Sequence, residues 1–127
     1  MNFRWISRAT ALAVHDEQLA EHGGEGGLRD SGLLDSALAR AANRAEYASP
    51  DIFELATAYG YGLIADHPFI DGNKRSGAVL MELFLELNGQ QLTADDAALV
   101  GTILLLADGS MGENALADWL RRNCRDT

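Results

Sequence analysis

The stretch IFELATAYGYGLIADHPFIDGNKRSGAVLMELFLEL, residues 52–87, decides the fold of this chain, because it joins two long apolar segments through one polar bend. The first segment is apolar nearly all round, and a helix without a polar face is usually the buried centre of a domain. Pro68 disfavours helical geometry at His67, so the first helix should end there. We therefore predict two central buried helices, at about 52–66 and 73–87, with the bend between them.

Four further helices are predicted around this pair. No strand is predicted, because alternation of period two is absent and Ala and Leu dominate. Ser7 can cap a first helix from about Arg8 to His22, which the glycines of HGGEGG (22–27) end. The fold class predicted is all-α, a single domain over residues 1–127 with about six helices. The other predicted helices are one from about Gly32 to Ala42 capped by Asp30 or Ser31, one in LTADDAALVGTILLLADG (92–109) capped by Thr93, and one in GENALADWLRRN (112–123).

Composition limits the classes of function. The formal net charge is −9 and basic residues form no dense cluster, so direct nucleic-acid binding is not expected. Cys124 is the only cysteine, which rules out an internal disulfide and fits a reducing compartment. No segment has the roughly 18 consecutive apolar residues of a membrane span, and the first residues do not read as a signal peptide. We expect a cytoplasmic protein with no membrane contact.

The bend HPFIDGNKRSG (67–77) carries the polar groups that suggest chemistry. Gly72 permits a positive φ or a close approach of backbone to a ligand. The helix that begins near Asn73 has unpartnered N–H groups and a positive dipole end, and such an end binds phosphate. Lys74 and Arg75 add full positive charge, and Arg can grip a phosphate with two parallel bonds.

Two further residues complete the outline of a reactive site. Asp71 is out of place in an anion site unless it holds Mg²⁺, which is commonly bound by one or two carboxylates together with phosphate oxygens. The Asn73 amide can donate to a phosphate oxygen. Histidine is the side chain best suited to act as a general base near neutral pH, so His67 is the candidate that would accept a proton from a hydroxyl. The bend thus has the residues of a phosphoryl- or nucleotidyl-transfer site.

The same residues also allow a purely structural interpretation. Proline stops one helix, Asp and Asn cap the next, and the basic residues lie in solvent. Basic residues in the first turn oppose the helix dipole, which weakly disfavours that interpretation. The residues alone leave the question open.

The bend resembles the motif of the Fic/Doc family, roughly His-Pro-Phe-x-Asp/Glu-Gly-Asn-x-Arg. The flanks GLRDSGLLDSALAR (27–40) and FLELNGQQLTADD (84–96) look like those of death-on-curing (Doc-type) toxins. This resemblance implies an all-helical Fic fold. The positions that match the motif are His67, Pro68, Phe69, Asp71, Gly72, Asn73 and Arg75.

The resemblance implies roles for the matched residues. His67 would take the proton from the incoming hydroxyl, Asp71 would hold Mg²⁺, and Phe69 would anchor the bend in the core. Ser76 is expected either to assist at the phosphates or to bond local backbone. Arg29 and Asp30 match the flank, as a surface pair or a cap, and are assigned no catalytic role. The residues expected to cradle the phosphates of ATP are Gly72, Asn73, Lys74 and Arg75.

Two positions depart from the broad Fic pattern. Typical Fic adenylyltransferases have Gly before the matched Arg and a second Arg three places beyond it, where this chain has Lys74 and Ala78. Doc-type members carry the lysine, and the resemblance implies that they bind ATP reversed and phosphorylate a threonine of elongation factor Tu. Two alternatives stay open: a Fic-type protein adenylyltransferase, or a catalytically idle module that tunes an antitoxin's grip on operator DNA.

The resemblance also implies how the activity is restrained. Many Fic proteins block themselves with a helix bearing Ser/Thr-x-x-x-Glu-Gly/Asn, and SMGEN (110–114) is one residue short of that pattern. Doc-type toxins are neutralised by a separate antitoxin whose disordered C-terminal part folds on the toxin. We expect a groove for such a segment beside the active site, with the loop 22–27 and the first helices as its wall.

The remaining histidines and tryptophans are expected to be structural. His15 lies on an apolar helix face and is predicted to be a core residue, and His22 is predicted at a helix C-terminus, where a cation is favourable. Trp5 and Trp119 are expected to pack the ends of the bundle.

Overall fold

The structure, a computed structural model, describes residues 2–127 of the chain. The predicted all-α class is confirmed, with six helices in this range and one small pair of strands. The elements, in chain order, are α1 (Arg8–His22), α2 (Ser31–Tyr47), α3 (Ile52–Asp66), α4 (Asn73–Leu87), β1 (Gln90–Leu92), α5 (Asp96–Ala107), α6 (Glu113–Arg122) and β2 (Cys124–Asp126).

Helix α3 lies at the centre of the bundle. Every residue from Leu55 to Gly60 is buried, as the lack of a polar face predicts. It packs most extensively against α4 and α2, with α6 and α5 completing its surroundings. Helix α1 packs on α4 and less on α2. The bend between α3 and α4 is therefore anchored at both ends in the core.

Glycines allow the central helices to approach one another closely. A Cβ atom on Gly77 of α4 would lie 3.3 Å from the carbonyl oxygen of Gly60 in α3. A Cβ atom on Gly62 would lie only 2.8 Å from the carbonyl oxygen of Ala37 in α2. Because both contacts are with backbone, which cannot rotate away as a side chain can, these positions fix how α2, α3 and α4 are spaced.

Most helix boundaries agree with the predictions, and two differ. Helix α2 continues to Tyr47 rather than Ala42, because no proline or glycine interrupts it before Pro50. Helix α5 is capped by Asp95, whose side chain accepts a hydrogen bond from the Ala98 N–H, so the prediction of Thr93 as its cap is wrong.

The strands β1 and β2 were not predicted. They pair antiparallel, with Gln91 opposite Arg125, and bring the last residues of the chain beside the end of α4. Three-residue strands are too short to show alternation. Burial, helped by the charge of Glu82, raises the pKa of the Cys124 thiol to about 11, so this thiol is not activated as a nucleophile. Within residues 2–127 no helix is long and apolar enough to cross a membrane.

Candidate active site

The bend begins at His67, which adopts a left-handed conformation with φ 51° and ψ 55°. It is the one non-glycine residue with positive φ between residues 2 and 127. Its N–H still donates to the carbonyl oxygen of Leu63, so His67 closes the last turn of α3. A left-handed non-glycine residue costs free energy and is common at functional sites.

A neighbouring loop holds the bend in place from the side. Arg29 donates from Nε to the His67 carbonyl oxygen at 2.7 Å and from Nη2 to the Asp66 carbonyl oxygen at 2.8 Å. The Arg29 N–H bonds the Pro68 carbonyl oxygen at 2.7 Å, and Leu28 pairs with Phe69 in an isolated β-bridge. Arg29 thus caps α3, while Asp30 caps α2 by accepting from the Leu33 N–H.

Phe69 and Asn73 tie the bend to the core. Phe69 is buried, which confirms it as an anchor. The Asn73 side chain accepts from the Phe69 N–H at 3.0 Å and donates to the Phe69 carbonyl oxygen at 2.9 Å. This differs from the expectation that the Asn73 amide would face a phosphate, because both of its polar atoms already bond backbone. A phosphate contact from Asn73 would come from its main-chain N–H.

The same amide orients the catalytic candidate. Nδ2 of Asn73 lies 3.3 Å from Nδ1 of His67. Since the amide oxygen must face the Phe69 N–H, the amide nitrogen is the atom that faces the imidazole, and it donates.

Asp71 is exposed beside the start of α4. Its Oδ1 accepts from the Gly72 N–H at 2.9 Å, and its Oδ2 accepts from the Glu25 N–H at 3.3 Å. Across the part of the chain that the structure describes, no group of three or more His, Cys, Asp or Glu side chains is placed to hold a metal. A single exposed carboxylate fits Mg²⁺, which keeps waters and takes its other oxygens from substrate phosphates.

Helix α4 begins without a side-chain cap. Gly72 is its N-cap residue, with φ 83°, and no side chain among residues 2–127 bonds its first N–H groups. Lys74 and Arg75 are exposed, and Arg75 lies 3.4 Å from Nε2 of His22. A pocket of about 280 Å³ opens here. The predicted site residues that line it are His67, Asp71, Gly72, Asn73, Lys74 and Arg75, together with Ile64.

Ser76 is the exception among the predicted site residues. It is fully buried, and its hydroxyl has no hydrogen-bond partner in the described part of the chain. It does not line the pocket. The alternative bond to local backbone is not made, because the first turn of α4 directs this side chain into the packing against the core and away from the pocket.

His15 was predicted to be a core residue, and it also contacts the bend. His15 of α1 is buried, as predicted, but its Nε2 lies 2.8 Å from the Asp71 carbonyl oxygen. The two residues are 56 positions apart, and no local pattern links them.

Comparison with known proteins agrees with this geometry. The model of the Fic/DOC family matches residues 5–85, which include the whole bend and most of α4. The chain belongs to the Fic/Doc family. Among the relatives of this Fic/Doc chain is a protein named "Protein kinase doc" from Escherichia phage P1, 32% identical over 120 residues that cover 94% of each chain. A protein named "Toxin Doc" from Mycolicibacterium smegmatis is 43% identical over 75 residues, which cover 58% of each chain. The Doc-type resemblance is thereby confirmed.

Proposed function

We propose that this Doc-type protein is a toxin that transfers the γ-phosphate of ATP to a protein hydroxyl. The expected acceptor is a threonine of elongation factor Tu, so that translation and growth stop until an antitoxin neutralises the toxin. The names of the two Doc relatives support a toxin, and the name of the phage relative supports a kinase. The rest of the proposal depends on the residues of the bend.

The observation that carries the proposal is the uncapped start of α4 in the same pocket as the imidazole. The opening N–H groups of α4 have no side-chain partner, and Lys74 and Arg75 add two cations beside them. Such an arrangement suits a phosphate. His67 lines the same pocket, so a hydroxyl that approaches the phosphate also approaches a base.

In the proposed transfer, one bond to the γ-phosphorus forms and one breaks. The acceptor hydroxyl loses its proton to the imidazole of His67, which lines the same pocket. The hydroxyl oxygen bonds the γ-phosphorus, the bond from that phosphorus to the β–γ bridging oxygen breaks, and ADP leaves. Mg²⁺ held by Asp71 would supply neutralisation of phosphate charge. Lys74, Arg75 and the α4 amides stabilise the negative charge that the leaving ADP carries.

Two residues favour γ-phosphate transfer over AMP transfer. Lys74 occupies the position where adenylyltransferases have a small glycine, and adds charge beside the phosphates. Ala78 stands where they have a second arginine, and it is buried. An ATP laid out for AMP transfer would therefore lack a cation at that position. This supports the kinase hypothesis against the adenylyltransferase.

A partner antitoxin follows from the proposal for a toxin. Its C-terminal segment would bind beside the pocket, against the loop 22–27 and the exposed faces of the first helices. Residues 110–114 lie where α5 ends and α6 begins, so they form no intact inhibitory helix. Restraint by a separate chain is consistent with that.

Labelled ATP tests the proposal. Purified protein with Mg²⁺ and elongation factor Tu should transfer label from γ-labelled ATP and none from α-labelled ATP. His67→Ala should abolish the transfer and also growth arrest in cells, while Arg122→Ala, on the exposed end of α6, should leave both intact. Transfer of α-label alone would establish the adenylyltransferase. No transfer of either label, with growth arrest unaffected by His67→Ala, would establish the idle module.

A further inference from the structure

His15 has an unusual place for a buried histidine. It lies on α1, and only 2% of its surface is exposed. Its Nε2 lies 2.8 Å from the carbonyl oxygen of Asp71. A carbonyl oxygen only accepts, so Nε2 carries a proton and donates it. A buried polar group with one well-made bond is costly to lose, because the remaining partner is left without a hydrogen bond.

The ring of His15 also packs closely against the bend. It stacks on the Phe69 ring with centroids 3.7 Å apart and planes 5° from parallel. A Cβ atom on Gly72 would lie 3.4 Å from Cδ2 of His15. The imidazole therefore contacts Phe69, Asp71 and Gly72, the N-cap residue of α4. A shift of the bend would displace the imidazole as well.

The bond from His15 fixes the peptide unit between Asp71 and Gly72. Its carbonyl oxygen accepts from His15, and its N–H belongs to Gly72 and donates to Oδ1 of Asp71 at 2.9 Å. If this peptide rotates, the carboxylate loses that partner and the left-handed Gly72 loses its orientation. The N–H groups that follow at the start of α4 would turn with it.

We propose that His15 is a positioning residue for the metal carboxylate and the phosphate cradle. By holding the 71–72 peptide, it sets the direction of the Asp71 carboxylate and of the first amides of α4 without touching substrate. This inference rests on the proposed function, because it takes Asp71 as the ligand of Mg²⁺. Partners that orient a metal ligand commonly change metal affinity by about 10- to 100-fold when removed.

Two variants separate the donor from the stacking ring. His15→Phe keeps an aromatic ring against Phe69 and removes the donor. His15→Gln removes the ring and keeps an amide N–H that reaches the place of Nε2. Ala11→Gly is the matched control. Ala11 is buried on the same face of α1, one turn before His15, and its side chain has no hydrogen-bond donor. The substitution loosens the helix without changing the bond to Asp71.

The first measurement is the Mg²⁺ concentration that gives half-maximal γ-phosphate transfer. We expect His15→Phe to raise it by about tenfold or more, His15→Gln to restore most of the difference, and Ala11→Gly to leave it unchanged. A requirement in His15→Phe equal to that of the unchanged protein would overturn the inference. So would equal changes in His15→Phe and Ala11→Gly.

The second measurement needs neither metal nor nucleotide. Exchange of the Gly72 amide proton with solvent, followed by NMR, should be faster in His15→Phe than in Ala11→Gly, and His15→Gln should lie between His15→Phe and the unchanged protein. If His15→Phe does not fold, His15→Leu takes its place. Absence of transfer in the unchanged protein would refute the proposed function alone, whereas unaltered Gly72 exchange in both donor-free variants would refute the role of His15 alone.

Discussion

The guanidinium of Arg29 donates a hydrogen bond of 2.7 Å to the carbonyl oxygen of His67, the one non-glycine residue with positive φ among residues 2–127. The same guanidinium bonds the Asp66 carbonyl oxygen. Two orphan carbonyls at the end of α3 are thus satisfied by one side chain from a different part of the chain. The contact relates the catalytic candidate to the loop that precedes α2.

Arg29→Ala should therefore lower the rate of γ-phosphate transfer strongly and the free energy of unfolding only slightly. The side chain is exposed, so we expect a loss of only about 1 kcal/mol in the free energy of unfolding. Arg29→Lys should recover the charge but not both bonds, because an ammonium lacks the planar fork. Urea denaturation and γ-phosphate transfer measure the two effects, with Arg122→Ala as the control. Full activity in Arg29→Ala would show that His67 holds its conformation without this contact.

His67→Gly should be more stable than His67→Ala, although neither variant has an imidazole. The left-handed conformation at φ 51° costs a residue with a Cβ about 1–2 kcal/mol relative to glycine. Both variants should be inactive in transfer, and thermal denaturation should rank the glycine variant above the alanine variant. The reverse ranking would mean that the backbone at this position relaxes once the ring is gone.

Gly62→Ala should destabilise the bundle by about 1–3 kcal/mol, because its methyl group would meet the Ala37 backbone. Gly101→Ala provides the opposite case, since a Cβ there has nothing within 4 Å and the position lies inside α5. That change should stabilise the protein by about 0.5–1 kcal/mol. Denaturant midpoints compare the two. Equal effects of the two substitutions would contradict the close approach of α2 and α3.

Glu82→Gln should stabilise the protein at neutral pH. Burial, followed by the charges of Glu86 and Asp96, raises the pKa of Glu82 above its ordinary 4.5. A carboxyl with a raised pKa in the folded state is destabilising when ionised, and this cost disappears as the pH falls through the raised pKa. The difference in Tm between Glu82→Gln and the unchanged protein should shrink as the pH is lowered from 7 towards 4.5. Glu46→Gln, at an exposed position, is the control for removing a carboxylate from the surface.

Local signals explain the elements that the sequence predicted well. Ser7 and the glycines after His22 mark both ends of α1, and Pro68 marks the end of α3. Each of these signals acts within one turn of the boundary it sets. The predicted His67, Asp71, Gly72, Lys74 and Arg75 line one pocket for the same reason, since they are neighbours in a single bend.

The features that were missed depend on residues far apart in the chain. The strand pair joins residues 90–92 with 124–126, and the bond from His15 reaches Asp71 although helices α2 and α3 lie between them in the chain. Ser76 follows Arg75 directly, yet one side chain is exposed and the other is buried. That difference depends on which face of α4 packs on the core, and the motif alone does not specify it.

Residues near both ends of the described part of the chain, Arg4 and Thr127, bond the turn that follows α4. The Arg4 N–H bonds Oδ1 of Asn88 at 2.8 Å, and the Thr127 N–H bonds the Gly89 carbonyl oxygen at 3.0 Å. Fifteen helical residues separate this turn from the cradle at the start of α4, which is about 22 Å along the helix axis. A fluorophore or a surface tether attached at Arg4 or Thr127 would thus lie about one helix length from the cradle, so immobilised protein would keep its pocket open to solution.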